Sequence, residues 1–494
     1  MVTNKRPYLR TPMSVKHKSV ALVIACIISG CAVGPEYAAP QIITKRQFDG
    51  QTAVMQRSTS AHAAIETWWQ GYEDPLLTRF IQLALQQNLD IAQAQFRIDQ
   101  AKAGLSAANA TLLPSGNIDG HAARAYQSTE TPLGQLLAPQ PGFSRYSSSY
   151  EANLGIGWEL DLFGALRHGK AAALADYQAA AASEAAVQLA VAAQTADIYV
   201  NIRGLQLRLD VANRQLQTQQ ALVSNLRLLS EHGLIAPSEL DQAQSLMAQA
   251  SAAVPGLEAS IVQAMNMLDV MLGALPGTYQ QELVSTKYLP AVPAVQDIGT
   301  PGDLLRRRPD LIVAERKLAS ANAQIGQAIS EYYPKFSLGG LIGSATTTSG
   351  GLFNNASSQA SGVLGLRWRL FDFGRINAQI NNAKGREAEL LAAYRLANLR
   401  ATEEVETSFT ELLKMEQQAS FLQQGTQSLN QARSAAQAAY NQGINSQIEV
   451  LQADEKLLRM TDAHLQAQIA AVRASIRVFK ALGGGWDSHS EHKS

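Results

Sequence analysis

The sequence repeats itself at a fixed offset, and this duplication limits the possible folds more than any other feature. Residues 154–160 read LGIGWEL and residues 364–370 read LGLRWRL, which sets the offset at 210 positions. Matches at this offset run without a gap as far as Leu272 and Leu482. They include Phe163 with Phe373, Tyr199 with Phe409, and Gly233 with Gly443. Self-similarity over such a length predicts a fold built from two equivalent halves.

The part of the chain before residue 115 repeats at a second, slightly larger offset. Asp90 matches Asp310 and Pro114 matches Pro334, and both pairs are 220 positions apart. The difference between the two offsets places one insertion between Pro114 and Trp158. The stretch 128–150 within that interval is rich in Pro, Gly and Ser, so we predict that it is a loop.

Each repeat reads as a helix, a strand, a loop, a strand, a long helix, a turn and a returning helix. From Tyr150 to Leu160 the even positions are apolar and the odd positions are polar or small, which is the period-two pattern of a strand. The segment 364–370 alternates in the same way. A partner pattern occurs at 336–342 and a weaker one at 118–122. We therefore predict β-hairpins at about residues 115–160 and 335–371.

Two interpretations of these strands are open. A half-buried strand of a soluble sheet shows the same alternation. The strand length, however, is the one that a tilted strand needs to cross a bilayer, about 9–11 residues. Trp158 and Trp368 occupy equivalent places near the strand ends, where an interfacial girdle of aromatic residues would lie. The tryptophans favour the membrane interpretation.

The helix that follows each hairpin is predicted to be very long. No proline occurs between Gly142 and Ala236, and a helix from Ala165 to Ser230 would measure about 100 Å at about 1.5 Å per residue. Gly233 ends it, Ser238 is positioned to cap the returning helix, and Pro255-Gly256 predicts a break in that helix. Taken alone, the helices are equally consistent with a coiled-coil rod that has no channel.

Charge and cysteine content exclude several classes of function. The chain has 41 Lys+Arg against 41 Asp+Glu, and a nucleic-acid surface needs a net basic charge, so nucleic acid is excluded as a partner. Both cysteines, Cys26 and Cys31, lie close to the N-terminus, which excludes a thiolate metal site in the body of the chain. The sequence has no Walker loop and no Gly-x-Ser-x-Gly motif, and no two histidines are four residues apart. We expect no enzyme, no metal and no cofactor apart from covalent lipid.

The N-terminus has the pattern of a lipoprotein signal peptide. Basic residues precede the apolar run 20–28, which is too short to span a bilayer and leads into Ser29-Gly30-Cys31. Residues 28–31 resemble the bacterial lipobox, which implies that Cys31 is acylated, and Ala32 rather than Asp implies the outer membrane. Acyl chains contribute about 0.8 kcal/mol per buried CH₂, so the anchor would be firm. The alternative is an ordinary cleaved signal peptide.

Four membrane strands per chain cannot close into a barrel by themselves. Hydrocarbon does not tolerate open sheet edges, so several copies must join. A dimer would give eight strands, and side chains fill a barrel of that size. A trimer would give twelve strands and a lumen, and we therefore predict a homotrimer. The polar strand faces that would line the lumen carry Glu151, Asn153, Glu159, Arg367 and Arg369.

Motifs spread along the chain carry a family resemblance. They are CAVGPEY at 31–37, WW at 68–69, DPLL at 74–77, RRPDL at 307–311, AE at 314–315, ANAQIG at 321–326 and YP at 333–334. With these motifs the chain resembles the outer-membrane factor family, the exit ducts of tripartite drug-efflux and type I secretion systems. It is most similar to the lipoprotein branch that works with resistance-nodulation-division pumps. The resemblance covers essentially the whole chain from Cys31 onward.

The resemblance implies a mixed fold and three kinds of partner. The fold would be a 12-stranded outer-membrane β-barrel, formed by a homotrimer and continued by a long α-helical barrel through the periplasm. The partners would be a periplasmic adaptor (membrane fusion) protein, an inner-membrane pump and outer-membrane lipid. The predicted domains are a signal peptide (1–30), a lipidated extended segment (31–72), repeat 1 with its tip near 233 (73–277), an equatorial linker (278–300), repeat 2 with its tip near 443 (301–485) and a tail (486–494).

The resemblance also implies functional residues at the helical turns. The two tips match the turns where an adaptor docks, although each turn alone is equally a helix C-cap. The family closes its periplasmic mouth with an iris of acidic residues, whose positions here are Glu449 and the uncharged Gln452. Asp454, Glu239 and Asp241 are candidate substitutes, but charged residues on a long helix are more often simply solvated. The tip residues are Gly233, Leu234 and Ile235 in repeat 1, and Gly443, Ile444 and Asn445 in repeat 2.

The function predicted from the sequence is a passive exit duct in the outer membrane. It would export small molecules such as drugs, with energy supplied by an inner-membrane pump. One alternative is the duct of a type I protein-secretion system, against which the lipobox and the RRPDL motif favour efflux. The other is a lipid-anchored coiled-coil spacer without a pore.

Overall fold

The computed structural model describes residues 32–43, 45–57, 62–284, 288–295 and 298–486. The predicted signal peptide, Cys31 and all of the predicted tail except Trp486 lie outside the described residues. The chain divides into two compact units. The first lies within Met1–Ala39, Gln100–Tyr177 and Arg316–Leu391, and the second within Pro40–Asp99, Gln178–Glu315 and Ala392–Ser494.

The described part of the chain contains six strands and four dominant helices. The helices are called the first long helix (Ala165–Glu231), the first return helix (Pro237–Met271), the second long helix (Arg375–Asn441) and the second return helix (Gln447–Ala481). The strands are β1 His62–Ala63, β2 Ser115–Tyr126, β3 Tyr146–Leu160, β4 Ala294–Val295, β5 Lys335–Thr346 and β6 Ser358–Arg367. The other helices are Gln51–Met55, Pro75–Gln87, Leu89–Ala110, Pro132–Leu137, Gln280–Val284, Leu304–Arg307 and Pro309–Ser330, with 3-10 turns at Trp68–Tyr72, Ser349–Gly351 and Asn355–Ser357.

The first unit is organised around an antiparallel four-stranded sheet with the order β2-β3-β5-β6. The two hairpins join through β3 and β5, where Leu154 lies opposite Ile342. Because opposite residues point to the same side, the even positions of β3 share one face with their partners on the other strands. That face is apolar and open to solvent in the single chain. Its exposed members include Ile118, Leu154, Ile156, Leu338, Ile342, Leu364 and Leu366.

The second hairpin is shorter than the sequence predicted. β6 ends at Arg367, so Trp368 and Leu370 lie outside the sheet. Arg367 pairs with Lys335, the first residue of β5. The residue before Lys335 is Pro334, which has no N–H to donate to a further ladder bond. The pairing therefore stops there, although the alternating pattern continues.

The predicted loop 128–150 also contains regular structure. Residues Pro132–Leu137 form a short helix whose first turn is capped by Thr131, since its Oγ1 accepts from the Gly134 N–H at 3.2 Å. The last part of the stretch belongs to β3, which starts at Tyr146. The turn-forming residues correctly predicted that the chain reverses direction here, but they did not predict the capped helix within this stretch.

The two tryptophans at the ends of the alternating segments tie strand to helix. The Trp158 indole N–H donates to the Leu112 carbonyl at 2.9 Å. The Trp368 indole N–H donates to the Tyr332 carbonyl at 3.0 Å. Both acceptors lie just beyond the end of the preceding helix. These bonds fix the point where each helix passes into its hairpin.

Two local predictions about the first return helix are wrong. It begins at Pro237 with Ala236 at the N-cap, so Ser238 lies inside the first turn and is not the cap. Proline suits the first helical position because its φ is already helical and its missing N–H would be unpaired there. The helix also runs through Pro255 without ending. The buried face that follows, which includes Ile261, Met265 and Leu268, holds the helix together across the lost hydrogen bond.

The second unit contains the largest hydrophobic core of the described residues. Trp68 stacks on Phe479 with ring centroids 5.5 Å apart and an interplanar angle of 11°. Tyr72 lies edge-on to Phe479, and its hydroxyl shares a 2.5 Å hydrogen bond with Ser475. The turn Trp68–Tyr72 is thereby packed against the second return helix. β1 and β4 form a short parallel pair in the same unit.

Asp74 connects this core to the start of a helix. Its side chain accepts from the N–H groups of Leu76 and Leu77 at 3.0 and 3.1 Å, which caps the helix Pro75–Gln87. Its other oxygen accepts from the Tyr199 hydroxyl at 2.8 Å. Burial, together with this carboxylate, raises the pKa of Tyr199, so the phenol stays a donor. One buried carboxylate thus satisfies three donors.

Within the described ranges, no helix has a stretch that is both long and apolar enough to cross a bilayer.

We expect Asp74→Ala to destabilise the protein by about 3 kcal/mol, because it removes a helix cap and leaves the Tyr199 hydroxyl buried without its partner. Asp74→Asn keeps an acceptor oxygen for the helix cap and should lose less stability than Asp74→Ala. Thermal and urea unfolding of the detergent-purified variants would measure both changes. An Ala variant as stable as the Asn variant would contradict this role.

Candidate functional site

The two tips are helix-ending turns of the same construction. Gly233 and Gly443 have φ values of +67° and +73°, a conformation that glycine adopts without strain. In the first turn the Leu234 N–H bonds back to the Leu229 carbonyl at 2.9 Å. In the second the Ile444 N–H bonds to the Ala439 carbonyl at 2.9 Å. Both turns are Schellman motifs, which satisfy the last carbonyl groups of the long helices.

Each tip presents one apolar side chain to solvent and anchors the turn with others. Leu234 is 67% exposed and Ile444 is 72% exposed, although both are large hydrophobic residues. Ile235 instead packs against a small buried cluster, and Asn445 is half-buried. The cluster consists of Leu222, Val223, Leu226 and Ala243, with Ile448 and Leu451 packed against it. The exposed apolar residue thus sits on a rigid turn.

The predicted iris residues lie on one exposed face at the start of the second return helix. Ser446 caps this helix, since its Oγ accepts from the Glu449 N–H at 3.4 Å. Glu449 and Gln452 are three residues apart, so their side chains point to the same side. Both are exposed in the single chain. Glu239 and Asp241 are likewise exposed in the first turns of the first return helix.

Asp454 has a different environment from the iris residues. It accepts from the Thr218 hydroxyl at 3.3 Å, and its other oxygen lies 3.3 Å from Nε of Arg433. These partners lie on the first and second long helices, so Asp454 joins three helices near the tips. The sequence suggested Asp454 as a replacement iris residue or as a solvated charge. Its contacts link the second return helix to both long helices.

Two further ion pairs extend this connection along the second return helix, and the sequence analysis missed both. Arg208 donates to both oxygens of Asp462 at 2.8 and 3.3 Å. Arg473 donates to both oxygens of Asp197 at 2.7 and 2.8 Å, and these hydrogen bonds raise the pKa of Arg473. Together with Asp454 they form a ladder of polar links between the first long helix and the second return helix.

The RRPDL motif fixes the other end of the second return helix. Arg308 is 8% exposed and donates to the Ala481 carbonyl at 3.1 Å, to both oxygens of Asp310 and, at 2.7 Å, to Glu404. Burial alone would lower the pKa of Arg308, but the bonds to the two carboxylates raise it. In the first repeat Asn88 takes the equivalent place and donates to the Met271 carbonyl at 2.9 Å. The motif is therefore structural.

The residues that follow Cys31 are held against other parts of the first unit. The Val33 N–H donates to the Phe163 carbonyl at 3.2 Å, and the Val33 carbonyl lies 2.8 Å from Nε2 of His168. Gly34, at φ +126°, approaches Gly326 so closely that a Cβ would lie 2.6 Å from the Gly326 Cα. A Cβ on Gly326 would in turn lie 2.4 Å from Cε1 of His168, so glycine is needed at both positions. Cys31 itself lies outside the described residues.

The described residues contain no group of three or more His, Cys, Asp or Glu side chains placed to hold a metal ion.

The comparisons with known proteins agree with one another. A family described as "Outer membrane efflux protein" matches residues 80–274 and 300–484. The pyoverdine export outer membrane protein OpmQ of Pseudomonas putida is 31% identical over 427 residues, covering 86% of this chain and 89% of that protein. The toluene efflux pump outer membrane protein TtgF of Pseudomonas putida is 28% identical over 486 residues, covering 97% and 98%. The solved structure of the outer-membrane channel OprN is 28% identical, with a TM-score of 0.81 over 92% of this chain and 100% of that chain.

We expect Arg308→Met to lower the free energy of unfolding by about 2 kcal/mol, because it leaves a helix-end carbonyl and two carboxylates without their shared donor. Arg308→Lys keeps the charge but not the planar guanidinium group. Its free energy of unfolding should lie between those of the wild type and Arg308→Met. The neighbouring exposed Arg306→Met is the matched control. Equal urea midpoints for the Arg308→Met and Arg306→Met variants would refute the structural role.

Proposed function

Because this chain belongs to the outer membrane efflux protein family, we propose that it is the exit duct of a tripartite efflux system. The observation that carries the proposal is the family match, which extends over both halves of the chain. The protein is an outer-membrane channel of the efflux class. An adaptor protein in the periplasm and a pump in the inner membrane would complete the path and supply the energy.

The proposed assembly is a homotrimer with a 12-stranded barrel. The single chain leaves β2 and β6 as open edges of its sheet, and one face of that sheet is apolar and exposed. Such a sheet can lie in hydrocarbon only if its edges are paired. Three copies would provide this pairing, and the opposite faces, with Glu151, Asn153 and Glu159, would line the lumen. The long helices would continue the duct as a helical barrel.

The duplicated repeat supports the same architecture. The bounds of both long helices and of both return helices keep the offset of 210 positions that the sequence shows. The helices Leu89–Ala110 and Pro309–Ser330 keep the larger offset of 220 positions, as do β2 and β5. Two equivalent halves per chain allow three chains to form a ring of six similar units. This is the basis on which repeat 1 is assigned to 73–277 and repeat 2 to 301–485.

Small molecules are the proposed cargo. The names of the relatives refer to the export of pyoverdine and the efflux of toluene, both small molecules. A type I protein-secretion duct remains the alternative within transport. The channel itself would be passive, without catalysis or a cofactor. The pore-less coiled-coil spacer has no support from the family match.

Acylation of Cys31 is the proposed anchor to outer-membrane lipid. The segment that follows this residue is held by Val33 and His168 and by the Gly34–Gly326 contact. An acyl group on Cys31 would therefore precede, in the sequence, a segment that is held in place. The signal peptide 1–30 would be removed.

The tips are the proposed adaptor contacts. Leu234 and Ile444 are exposed apolar residues on rigid turns, which is what a partner needs for a defined contact. Gly233 and Gly443 shape the turns, while Ile235 and Asn445 support them. The part of the chain between the tips and the sheet would extend through the periplasm.

Glu449 and Gln452 are the proposed iris residues. Tilting of the second return helix would open the iris, and this motion has to break the polar ladder of Asp454 and Asp462. Because these links are only partly buried, each contributes little alone. An adaptor that binds the tips more tightly when the helix is tilted would supply the free energy that is lost with these links.

We expect the purified protein to produce discrete ion currents in planar bilayers and to show heat-modifiable mobility on gels, because a barrel resists detergent until heated. A strain that carries the adaptor and pump but lacks this chain should regain tolerance of small toxic molecules when the chain is supplied. Absence of currents together with a purely extended monomer in solution would support the spacer instead.

We expect Glu449→Ala, added to Asp454→Asn and Asp462→Asn, to raise the closed-state conductance several-fold above that of the Asp454→Asn, Asp462→Asn background. The background loosens the second return helix, and the added change removes the proposed iris charge. Gln452→Glu in the background that keeps Glu449 creates an acidic pair and should lower the conductance below that of the background. Unchanged conductance on addition of Glu449→Ala would count against Glu449 as an iris residue.

A further inference from the structure

The hairpin of β2 and β3 carries two arginines and two tyrosines in contact at the end where the strands are connected. The guanidinium carbon of Arg145 lies 4.1 Å from the centroid of the Tyr126 ring, and that of Arg124 lies 5.5 Å from the centroid of the Tyr146 ring. The centroids of the two rings are 4.8 Å apart. The tyrosines form the last pair of the ladder, so each arginine stacks on a tyrosine from the other arm of the hairpin. These four residues are called the arginine–tyrosine cluster.

Both guanidinium groups of the cluster have hydrogen-bond donors that the rest of the chain leaves open. Arg124 and Arg145 are exposed. Nε of Arg145 donates to the Gln127 carbonyl at 3.0 Å. The terminal amino groups of Arg145 and the whole guanidinium of Arg124 have neither an acceptor nor a carboxylate partner among the described residues. Stacking covers the face of a guanidinium but not its edge, and that edge matches two oxygens of a phosphate.

The pairing register puts the cluster on the apolar face of the sheet. Arg124 and Tyr126 are six and eight positions beyond Ile118, which belongs to that face. Even separations along a strand keep side chains on one side, and Tyr146 shares this side because it lies opposite Tyr126. Arg145 lies against the Tyr126 ring. In the barrel proposed above, the cluster is therefore on the outside, where the strands meet lipid.

The length of β3 places the cluster at the depth of lipid headgroups. Tyr146 and Trp158 are 12 positions apart on this strand, which is about 40 Å along it and about 30 Å along the bilayer normal at a tilt of about 40°. The apolar band of an outer-membrane barrel is about 25 Å tall. Trp158 marks the lower end of the band, because its indole bonds to the Leu112 carbonyl just after a helix. The cluster then lies just beyond the upper end, in the outer leaflet.

The second hairpin has no equivalent cluster, although it is a copy of the first. The residues in the equivalent places are Ser344, Thr346, Asn355 and Ala356. The basic residues of the predicted hairpin 335–371 are at the opposite end of its ladder or beyond it, namely Lys335, Arg367 and Arg369. In the first hairpin, 115–160, Arg124 and Arg145 are the only Lys or Arg residues. A hairpin of this fold thus forms without such a cluster, and its two cations require another explanation.

Phosphate is the anion that fits both the chemistry and the depth of the cluster. Arginine binds phosphate through two parallel N–H donors, and basic side chains at a membrane surface attract anionic lipid headgroups. Tyrosine is enriched at the same depth, because its ring is apolar and its hydroxyl is polar. The lipid of an outer leaflet in a bacterial outer membrane is a glycolipid whose sugars carry phosphate groups. A phosphate held there would bring acyl chains alongside the apolar face of the sheet.

We propose that the arginine–tyrosine cluster binds a phosphate group of an outer-leaflet glycolipid, with one lipid for each chain. Arg124 and Arg145 hold the phosphate oxygens through the edges of their guanidinium groups. Tyr126 and Tyr146 keep those groups in place by stacking. The proposal rests on the barrel proposed above, because only a sheet that lies in the membrane brings the cluster to this depth.

Binding of diphosphoryl lipid A to the full-length protein tests the proposal. Native mass measurements of the delipidated protein in detergent should show one tightly bound lipid for each chain. The same glycolipid without its phosphates should bind about tenfold more weakly or worse, because the arginines then have no anion to hold. Inorganic phosphate at the same concentration as the lipid should not displace it. Displacement by inorganic phosphate would overturn the assignment to a lipid.

Charge-removing variants locate the site. Arg124→Gln combined with Arg145→Gln should lower the affinity for diphosphoryl lipid A about tenfold or more. Arg124→Lys combined with Arg145→Lys keeps both charges but loses the planar edges, so its affinity should lie between those of the wild type and the double Gln variant. Lys384→Gln combined with Arg386→Gln is the matched control. It removes two exposed charges from the second long helix, and its affinity should equal that of the wild type.

A thermal measurement separates lipid binding from a purely structural role of the cluster. Diphosphoryl lipid A should raise the melting temperature of the wild type and of the Lys384→Gln, Arg386→Gln control. The increase should be at least threefold smaller in the Arg124→Gln, Arg145→Gln variant. A variant that melts earlier without lipid, but that the lipid stabilises as much as it does the wild type, would show that the cluster only supports the hairpin, and would overturn the proposal.

Conductance distinguishes failure of this inference from failure of the proposed function. A conducting protein whose lipid affinity is the same in the Arg124→Gln, Arg145→Gln variant and in the control overturns the lipid site and leaves the duct intact. A protein without currents overturns the duct. Phosphate-dependent binding that is lost in the Arg124→Gln, Arg145→Gln variant and kept in the control, with unchanged currents in both, establishes the site.

Discussion

The packing of the first long helix on the second return helix is the contact on which the rest of the second unit depends. It brings together two segments that are far apart in sequence, as the Arg208–Asp462 pair shows. Gly204 sets the distance between the helices, and the bidentate ion pairs set their relative translation. The core residues around Tyr199 and Phe479, the capping carboxylate Asp74 and the anchor Arg308 all lie on or against these two helices. A shift of one helix along the other would break both bidentate ion pairs together.

Much of this architecture could be predicted because the repeat and the periodicities are local or comparative features of the sequence. Alternation predicted a strand from Tyr150 to Leu160, and β3 runs from Tyr146 to Leu160. The absence of proline predicted a helix from Ala165 to Ser230, and the first long helix ends at Glu231. The errors arose where tertiary context decides. Pro255 stays within a helix that packing supports, and β6 stops at Arg367 because its partner strand begins after a proline.

The contacts around the candidate site were beyond prediction for a different reason. The sequence suggested Asp454 as a substitute iris residue or a solvated charge, whereas in the fold it contacts Thr218 and Arg433. No spacing or motif links an aspartate to partners on two other helices. The tips were easier, because a glycine followed by an apolar residue is a local signal. Cys31 and the signal peptide lie outside the described residues, so their assignment stays a prediction.

The ion pairs between the first long helix and the second return helix join segments of one chain. A contact between segments of one chain forms at an effective concentration in the millimolar range or above, since the connecting chain keeps the partners close. It can therefore include ion pairs, whose net stabilisation is small. The polypeptide connection between the repeats thus allows weak polar links to define how the two helices pack.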